Sequence, residues 1–328
     1  MRTIASQMQG LPLRKLILSF NIALVVFICL YGVICIIQPN YANLNLFMNF
    51  LRRAAPLAIL ASGQVFVIIS GGFDLSMGAV VTLVVVAASI FINGDPGSTW
   101  SGIALLYAMG IAIGVTNGLV VSYLKVPSII ATLGMKLLVT GLALMWSGGS
   151  PRGDLPDNFR NLGRFVWRDA PLIGTLSIAV VIAVVFAGLA WFFLHRTAFG
   201  KRLIAMGDNP RTAELAGTPV KRTRVLAFLV SSLAAVTAGI VIGGFAGVSV
   251  NAGNGLELQA IAACVIGGAI LLGGGGTLVG AVFGALSLYA LFTLLNLLGM
   301  PQAMRDTVQG LILIAAVAAS VLRAKKLG

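Results

Sequence analysis

The chain has 328 residues, 59% of them hydrophobic and only 9% charged, with a formal net charge of +13. That apolar surface exceeds what a water-soluble core of this size can bury, which sets aside a soluble enzyme or a nucleic-acid-binding domain. Lipid admits helices or closed barrels, and continuous apolar runs without period-two alternation specify an all-α, polytopic membrane protein.

Roughly 20 apolar residues cross a bilayer as a helix, and ten stretches meet that length approximately: 16–37, 54–70, 75–93, 101–123, 127–147, 171–194, 225–248, 257–272, 276–298 and 304–322. The first is too long for a signal-peptide core, lacks a small-residue cleavage site and is expected to remain as an anchor. Cys29 and Cys35 in it, and Cys264 in the eighth, have no ligand spacing and read as buried thiols, with no metal site.

Between the second and third spans lies Ser70-Gly71-Gly72-Phe73-Asp74-Leu75-Ser76-Met77-Gly78. The glycines free the backbone, and Asp74 is placed to cap the helix that follows. Two readings stay open: a tight turn with an N-cap, or a broken helix at membrane depth whose amides and carboxylate shape a gate. Asn117 in the fourth span is a candidate for a substrate path or for interhelical hydrogen bonding. Lys136, nine residues into the fifth, is a functional candidate by its depth, although its stem is long enough to snorkel. The loop 148–170 balances Arg152, Arg160, Arg164 and Arg168 largely against Asp154, Asp157 and Asp169.

The long basic interruption, 195–224, carries Arg196, Lys201, Arg202, Arg211, Lys221, Arg222 and Arg224 against Asp208 and Glu214. Within it, Asn209 is an N-cap, Pro210 suits the first helical position and Gly217 can close the helix left-handed, specifying about two turns over 209–217. So short a helix needs a partner to pack on; a connector lying on lipid and a docking element for another protein are the two readings. Further on, Glu257 and Gln259 open the eighth span, with Glu257 expected at the interface, and Asn296 lies in the ninth. Gly273-Gly274-Gly275-Gly276 suits a bend or unwound stretch. Gly71-Gly72 and Gly273-Gly274 each precede a Gly-Ala-Val at the same spacing, a match that glycine-rich sequence can produce by chance.

Ten spans put both termini and 195–224 on one side, and all three are basic, which makes that side the cytoplasm. Arg52 and Arg53, just before the second span, then fall outside, against the rule; a span lost or gained near 44–53 would relieve this but separate the basic termini. The positive charge is read as topology determinants facing anionic lipid and a cytoplasmic partner. No P-loop, His-Glu-x-x-His site or serine–histidine pair is present, so no catalytic residue or cofactor is assigned.

Four stretches resemble the permease subunits of bacterial ATP-binding-cassette (ABC) monosaccharide importers, the ribose-transporter permease family. Ser70 to Gly78 is similar to the family's Ser-Gly-Gly-Ile-Asp-Leu-Ser-Val-Gly signature, departing at Phe73 and Met77. Ile130 to Met135 is similar to its Ala-Thr-Leu-Gly segment, Thr197 to Gly217 to its cytoplasmic loop, and Gly255 to Gly268 to its Glu-Leu-Asp-Ala-Ile-Ala stretch. The family usually carries Asp where Gln259 stands and an apolar residue at the place of Lys136.

The resemblance implies one permease domain over 1–328 with a type II-like importer fold in the bacterial inner membrane. It implies a dimer with itself or a paralogue, a cytoplasmic ABC ATPase below and a periplasmic sugar-binding protein above. The 209–217 helix would then be the coupling helix, with Gly200, Lys201, Arg202, Gly207, Asn209, Pro210, Arg211, Ala213, Glu214 and Gly217 at or near the ATPase contact. Ser70, Gly71, Gly72, Asp74, Ser76 and Gly78 would form a gate. Asn117, Lys136, Glu257, Gln259 and Asn296 are candidates for the substrate path. A monosaccharide is the expected cargo; branched-chain amino acids, nucleosides or a sugar-like signal molecule are the alternatives. An intramembrane enzyme would need a nucleophile–base or metal pair at depth, and a passive channel would conduct without an ATPase.

Overall fold

Breaks in the helices, as much as the helices themselves, organise the chain. The computed structural model describes residues 22–170 and 174–327. The head of the first expected span (16–21), the basic residues Arg2, Arg14 and Lys15, and 171–173 lie outside the described residues.

Helix α1 covers Ile22–Ile37 and is followed by a 3-10 turn, Pro39–Ala42. Helix α2, Leu44–Ile69, starts well before residue 54 because Asn43 caps it, its Oδ1 accepting the Asn45 N–H at 2.8 Å. Residues 44–53 are therefore the first turns of α2 rather than a separate span, and Arg52 and Arg53 sit inside a helix rather than before one. Helices α3 (Met77–Ile92), α4 (Thr99–Tyr123) and α5 (Ser128–Ser147) follow close to their expected places.

The loop expected at 148–170 is partly ordered into helix α6, Asp157–Arg164, and a hairpin of antiparallel strands β1, Val166–Ala170, and β2, Gly174–Ser177. Helix α7, Ile178–Arg196, accordingly begins later than 171. The basic segment forms α8, Ala198–Asp208, and α9, Pro210–Leu215; then come α10 (Val220–Ala246), α11 (Leu256–Ile266), α12 (Leu278–Leu297) and α13 (Gln302–Leu327).

Among the described residues, six helices are long and apolar enough to cross a membrane: α2, α4 with the 3-10 turn Pro96–Ser98 that leads into it, α5, α7, α10 and α12; α1, α3 and α11 are apolar but shorter. The 16 residues of α3 reach about 24 Å, less than the hydrocarbon layer of roughly 30 Å. Helix α11 stops at Ile266 rather than at 272 because Gly268, at φ +87°, ends it in a Schellman turn, its N–H donating to Val265 O and Ala269 N–H to Cys264 O.

The core is built around α2 and α10, both largely buried. Gly110, Gly114 and Gly118 form a small-residue stripe on α4, and a methyl on any of them would press into Val236, Ser232 or Val225 of α10. Close backbone approach of this kind holds helices together where lipid offers no hydrophobic drive. Helix α1 is fastened to α2 by ring contacts, stacked for Phe27–Phe50 and edge-to-face for Tyr31 on Phe47 and Phe50. It is fastened to α12 by Phe27 against Phe283 and by Ser287 Oγ, which donates to Ala23 O at 2.9 Å. Of the cysteines only Cys264 is buried; Cys29 is exposed on α1 and Cys35 is intermediate, because α1 packs at the edge with one face outward.

Candidate functional site

The stretch from Ser70 to Ser76 is neither a simple turn nor a helix. Gly71, at φ +80°, closes α2 in a Schellman turn: its N–H donates to Ile68 O and the Gly72 N–H to Val67 O. The chain then runs extended through the interior, where Ser70, Asp74 and Ser76 are at most 3% exposed. Side chains of α5 take up its backbone: Ser128 Oγ accepts the Phe73 N–H and Thr132 Oγ1 the Leu75 N–H, both at 3.1 Å. Irregular backbone at depth persists only when protein satisfies it in this way.

Asp74 does not cap α3. Its Oδ1 accepts the Ser76 N–H at 2.9 Å and Ser76 Oγ at 2.6 Å, so Ser76 takes the cap position without bonding the first amides of the helix. Asp74 Oδ2 accepts Ser231 Oγ of α10 at 2.6 Å, and Asn117 Nδ2 of α4 donates to Ser76 Oγ at 2.9 Å. One buried carboxylate thus joins the break to two further helices.

Glu257 is not interfacial. It is 2% exposed and pairs with Lys136 Nζ at 2.5 Å, which accounts for a lysine in a span that otherwise calls for an apolar residue. The carboxylate lies in the first turn of α11 and beside Gly78 at the start of α3, so two helix N-termini add to the lysine's field. Any side chain at Gly78 would strike this carboxylate and Gly253 O.

The two glycine breaks meet. Gly274 N–H donates to Ile69 O at 3.0 Å, and Gly273 and Gly274 hold φ of +103° and +76°. Gly207, in the last turn of α8, fits against both breaks, since a methyl there would collide with Ile69 O and the Gly274 backbone. The surface segment 198–215 therefore seats directly beneath the buried irregular backbone.

That segment forms an elbow. Residues 198–208, taken as loop in the sequence, are helical because Leu203 and Met206 bury one face while Lys201 and Arg202 face outward. Gly200 lets α8 turn tightly against the Leu194 carbonyl at the end of α7. Asn209 Oδ1 accepts the Thr212 N–H at 3.0 Å, Pro210 takes the first position, and Gly217, at φ +80°, ends α9 with Thr218 N–H on Ala213 O. Ala213 is buried, whereas Leu215 is 75% exposed at the tip. Arg211 and Glu214 form an exposed pair at 3.4 Å, which contributes little to stability. A cleft of about 590 Å³ opens between α9 and the α4–α5 connection, lined by Gly71, Gly72, Lys125, Arg211, Lys221 and Arg224 among others.

At the opposite end, beside the last turn of α6, a cavity of about 500 Å³ is lined by Arg52, Arg53, Leu57, Phe245, Gln259 and Tyr289 among others. Gln259 Nε2 donates to Gln309 Oε1 at 3.3 Å, and Asn296 accepts Arg305 Nη1 at 2.8 Å beside a neighbouring cavity. The expected path residues thus separate into two groups. Asn117, Lys136 and Glu257 belong to the buried network, and Gln259 and Asn296 to the outer cavities. Sequence reasoning missed Ser128, Ser231 and Tyr289 because single polar residues in apolar runs carry no spacing signal. It gave Thr132 no role, although that residue lies in the Ile130–Met135 stretch similar to the importer family. Arg52 and Arg53 did carry one, as the exception to the charge rule.

Apolar helices with satisfied breaks at depth, and a capped elbow touching both breaks, define a membrane permease: a body that moves a solute rather than one that transforms it. The sequence places it further. Residues 46–317 match the family described as branched-chain amino acid transport system / permease component, and the chain belongs to that family of ABC importer permeases. It is similar to the autoinducer 2 import system permease protein LsrC of Yersinia pestis (strain Pestoides F), with 36% identity over 293 residues, 89% of this chain and 82% of the relative. The protein of that name from Klebsiella pneumoniae is 37% identical over 288 residues, 88% of this chain and 82% of the relative. No solved structure gives a significant match. As a permease component the chain is not the enzyme of its system; the ATPase is a separate subunit.

Proposed function

We propose that this chain forms the membrane pathway of an importer for a sugar-sized signal solute, driven by an ABC ATPase that grips the α8–α9 elbow. The observation that carries the coupling role is the seat of Gly207 against both breaks: displacement of the elbow bears directly on Ile69 and Gly274. The exposed Leu215 and the surrounding cations suit a groove in a partner. In this reading the breaks and the Asp74 network are a two-state gate whose equilibrium the partners bias.

The relatives' names favour a signal solute over a plain monosaccharide and over the branched-chain amino acids of the family's description. A second permease subunit, identical or paralogous, completes the pathway, and a periplasmic binding protein delivers cargo at the hairpin end. The membrane is the bacterial inner membrane with both termini cytoplasmic, which puts the basic elbow on the positive side. Substituting Glu214→Pro breaks α9 without touching the bundle. Uptake driven by ATP should then fall to background while membrane insertion persists, and normal uptake would refute the coupling role.

A further inference from the structure

The cavity of about 500 Å³ beside the last turn of α6 has a charge that a neutral sugar does not explain. Arg52 and Arg53 both line it. Neither forms an ion pair with any described residue, and the buried Arg52 Nε has no hydrogen-bond partner. Arg53 stands against the Tyr289 hydroxyl, a neutral partner. Arg164, on the far wall, is already held by Asp157 at 2.6 Å. No described lining residue is acidic.

The two adjacent guanidinium groups lie nine and ten residues into α2, about 13 Å along its axis. Arg52 is half-buried and Arg53 exposed, so both charges are open to the cavity's solvent, and charge of this kind in an apolar span is a functional candidate. An orphaned buried N–H is costly unless a ligand completes it. The guanidinium fork matches carboxylate and phosphate oxygens better than it matches a hydroxyl. The remaining wall mixes Leu57 and Phe245 with Gln259 and Tyr289, as a polyol with an apolar face requires, and the volume admits one small solute.

We propose that this cavity is an anion-selective site that takes a sugar-sized polyol bearing a carboxylate or phosphate, oriented by Arg52 and Arg53. The proposal rests on the permease reading and adds the charge of the cargo to it.

The test uses the full chain in nanodiscs without ATPase or binding protein, titrated with gluconate, ribose 5-phosphate, inorganic phosphate, and neutral glucose and ribose. The two sugar-sized anions should bind at least about tenfold tighter than their neutral counterparts, with an affinity that falls as salt rises. Inorganic phosphate should be weaker than ribose 5-phosphate. Arg52→Gln and Arg53→Gln should each lower anion affinity on the order of ten- to a hundredfold, the worth of one charge-assisted hydrogen bond. Arg53→Lys should retain part of it, and Arg152→Gln, outside the cavity, should change nothing. Monodispersity and thermal melting of each variant separate loss of site from loss of fold, with Arg53→Lys keeping the charge if a neutral variant does not fold. Equal binding of neutral and anionic solutes, or anion binding indifferent to all three cavity substitutions, overturns the proposal. So does failure of every free anion to bind, which would turn these arginines toward an acidic side chain of a docking protein. Each of these results leaves the Glu214→Pro uptake test of the permease reading untouched.

Discussion

Lys136 and Glu257 show what a single residue decides in lipid. Lys136→Met would leave the Glu257 carboxylate buried without its cation, and breaking a buried pair costs several kcal/mol. Because the Lys136 side chain is 32% exposed, a loss near the lower end, about 2–3 kcal/mol, is expected. Adding Glu257→Gln should recover most of it, because the second change removes the stranded charge. A double-mutant cycle in detergent melts checks this, and strictly additive losses would sink it. Gly207 is the other residue to test. Gly207→Val forces the elbow off Ile69 and Gly274, an overpacking cost of about 1–3 kcal/mol. Uptake should fail while the protein still inserts; unchanged uptake would show that the seat has no part in coupling.

Among the elements, long apolar runs placed the spans α3, α4 and α5 although none has a side-chain cap bond. Capping residues placed the short α9, while the Asn43 cap that starts α2 at Leu44 rather than at 54 went unread. Asn209, Pro210 and Gly217 specify α9 within a residue or two of its observed bounds, because capping is local chemistry. The end of α2 was legible for the same reason, since Gly71 allows the left-handed turn. Helix α8 went unread because its buried face is short, little more than Leu203 and Met206 in a basic segment. For 70–76 a break at depth was one of two open readings, but the partners that hold its backbone were not legible. Its backbone is completed by Ser128 and Thr132, 55 and 57 residues further on, and nothing local announces them. The two glycine breaks touch, a meeting that the spacing they share with a downstream Gly-Ala-Val gave no reason to expect.

For the whole molecule, the charge asymmetry predicts sidedness. Cysteine introduced at Lys201 or Arg211 should react with a membrane-impermeant maleimide only after cells are opened. Cysteine at Arg152 should react in intact cells. The native Cys29, Cys35 and Cys264 are removed for the measurement, since Cys29 is exposed. Labelling of Lys201 or Arg211 positions from outside would invert the molecule and remove the ATPase from its proposed seat.

Composition and apolar run length determined by themselves that this chain lives in lipid as helices, because the bilayer permits few other solutions. Local capping chemistry likewise determined α9. Only the tertiary structure decided that Glu257 is buried against Lys136, that Arg52 and Arg53 share a cavity, and that the elbow touches both breaks. Those are meetings between residues far apart in the chain, and pairing across such distances depends on how helices pack, which no local pattern encodes.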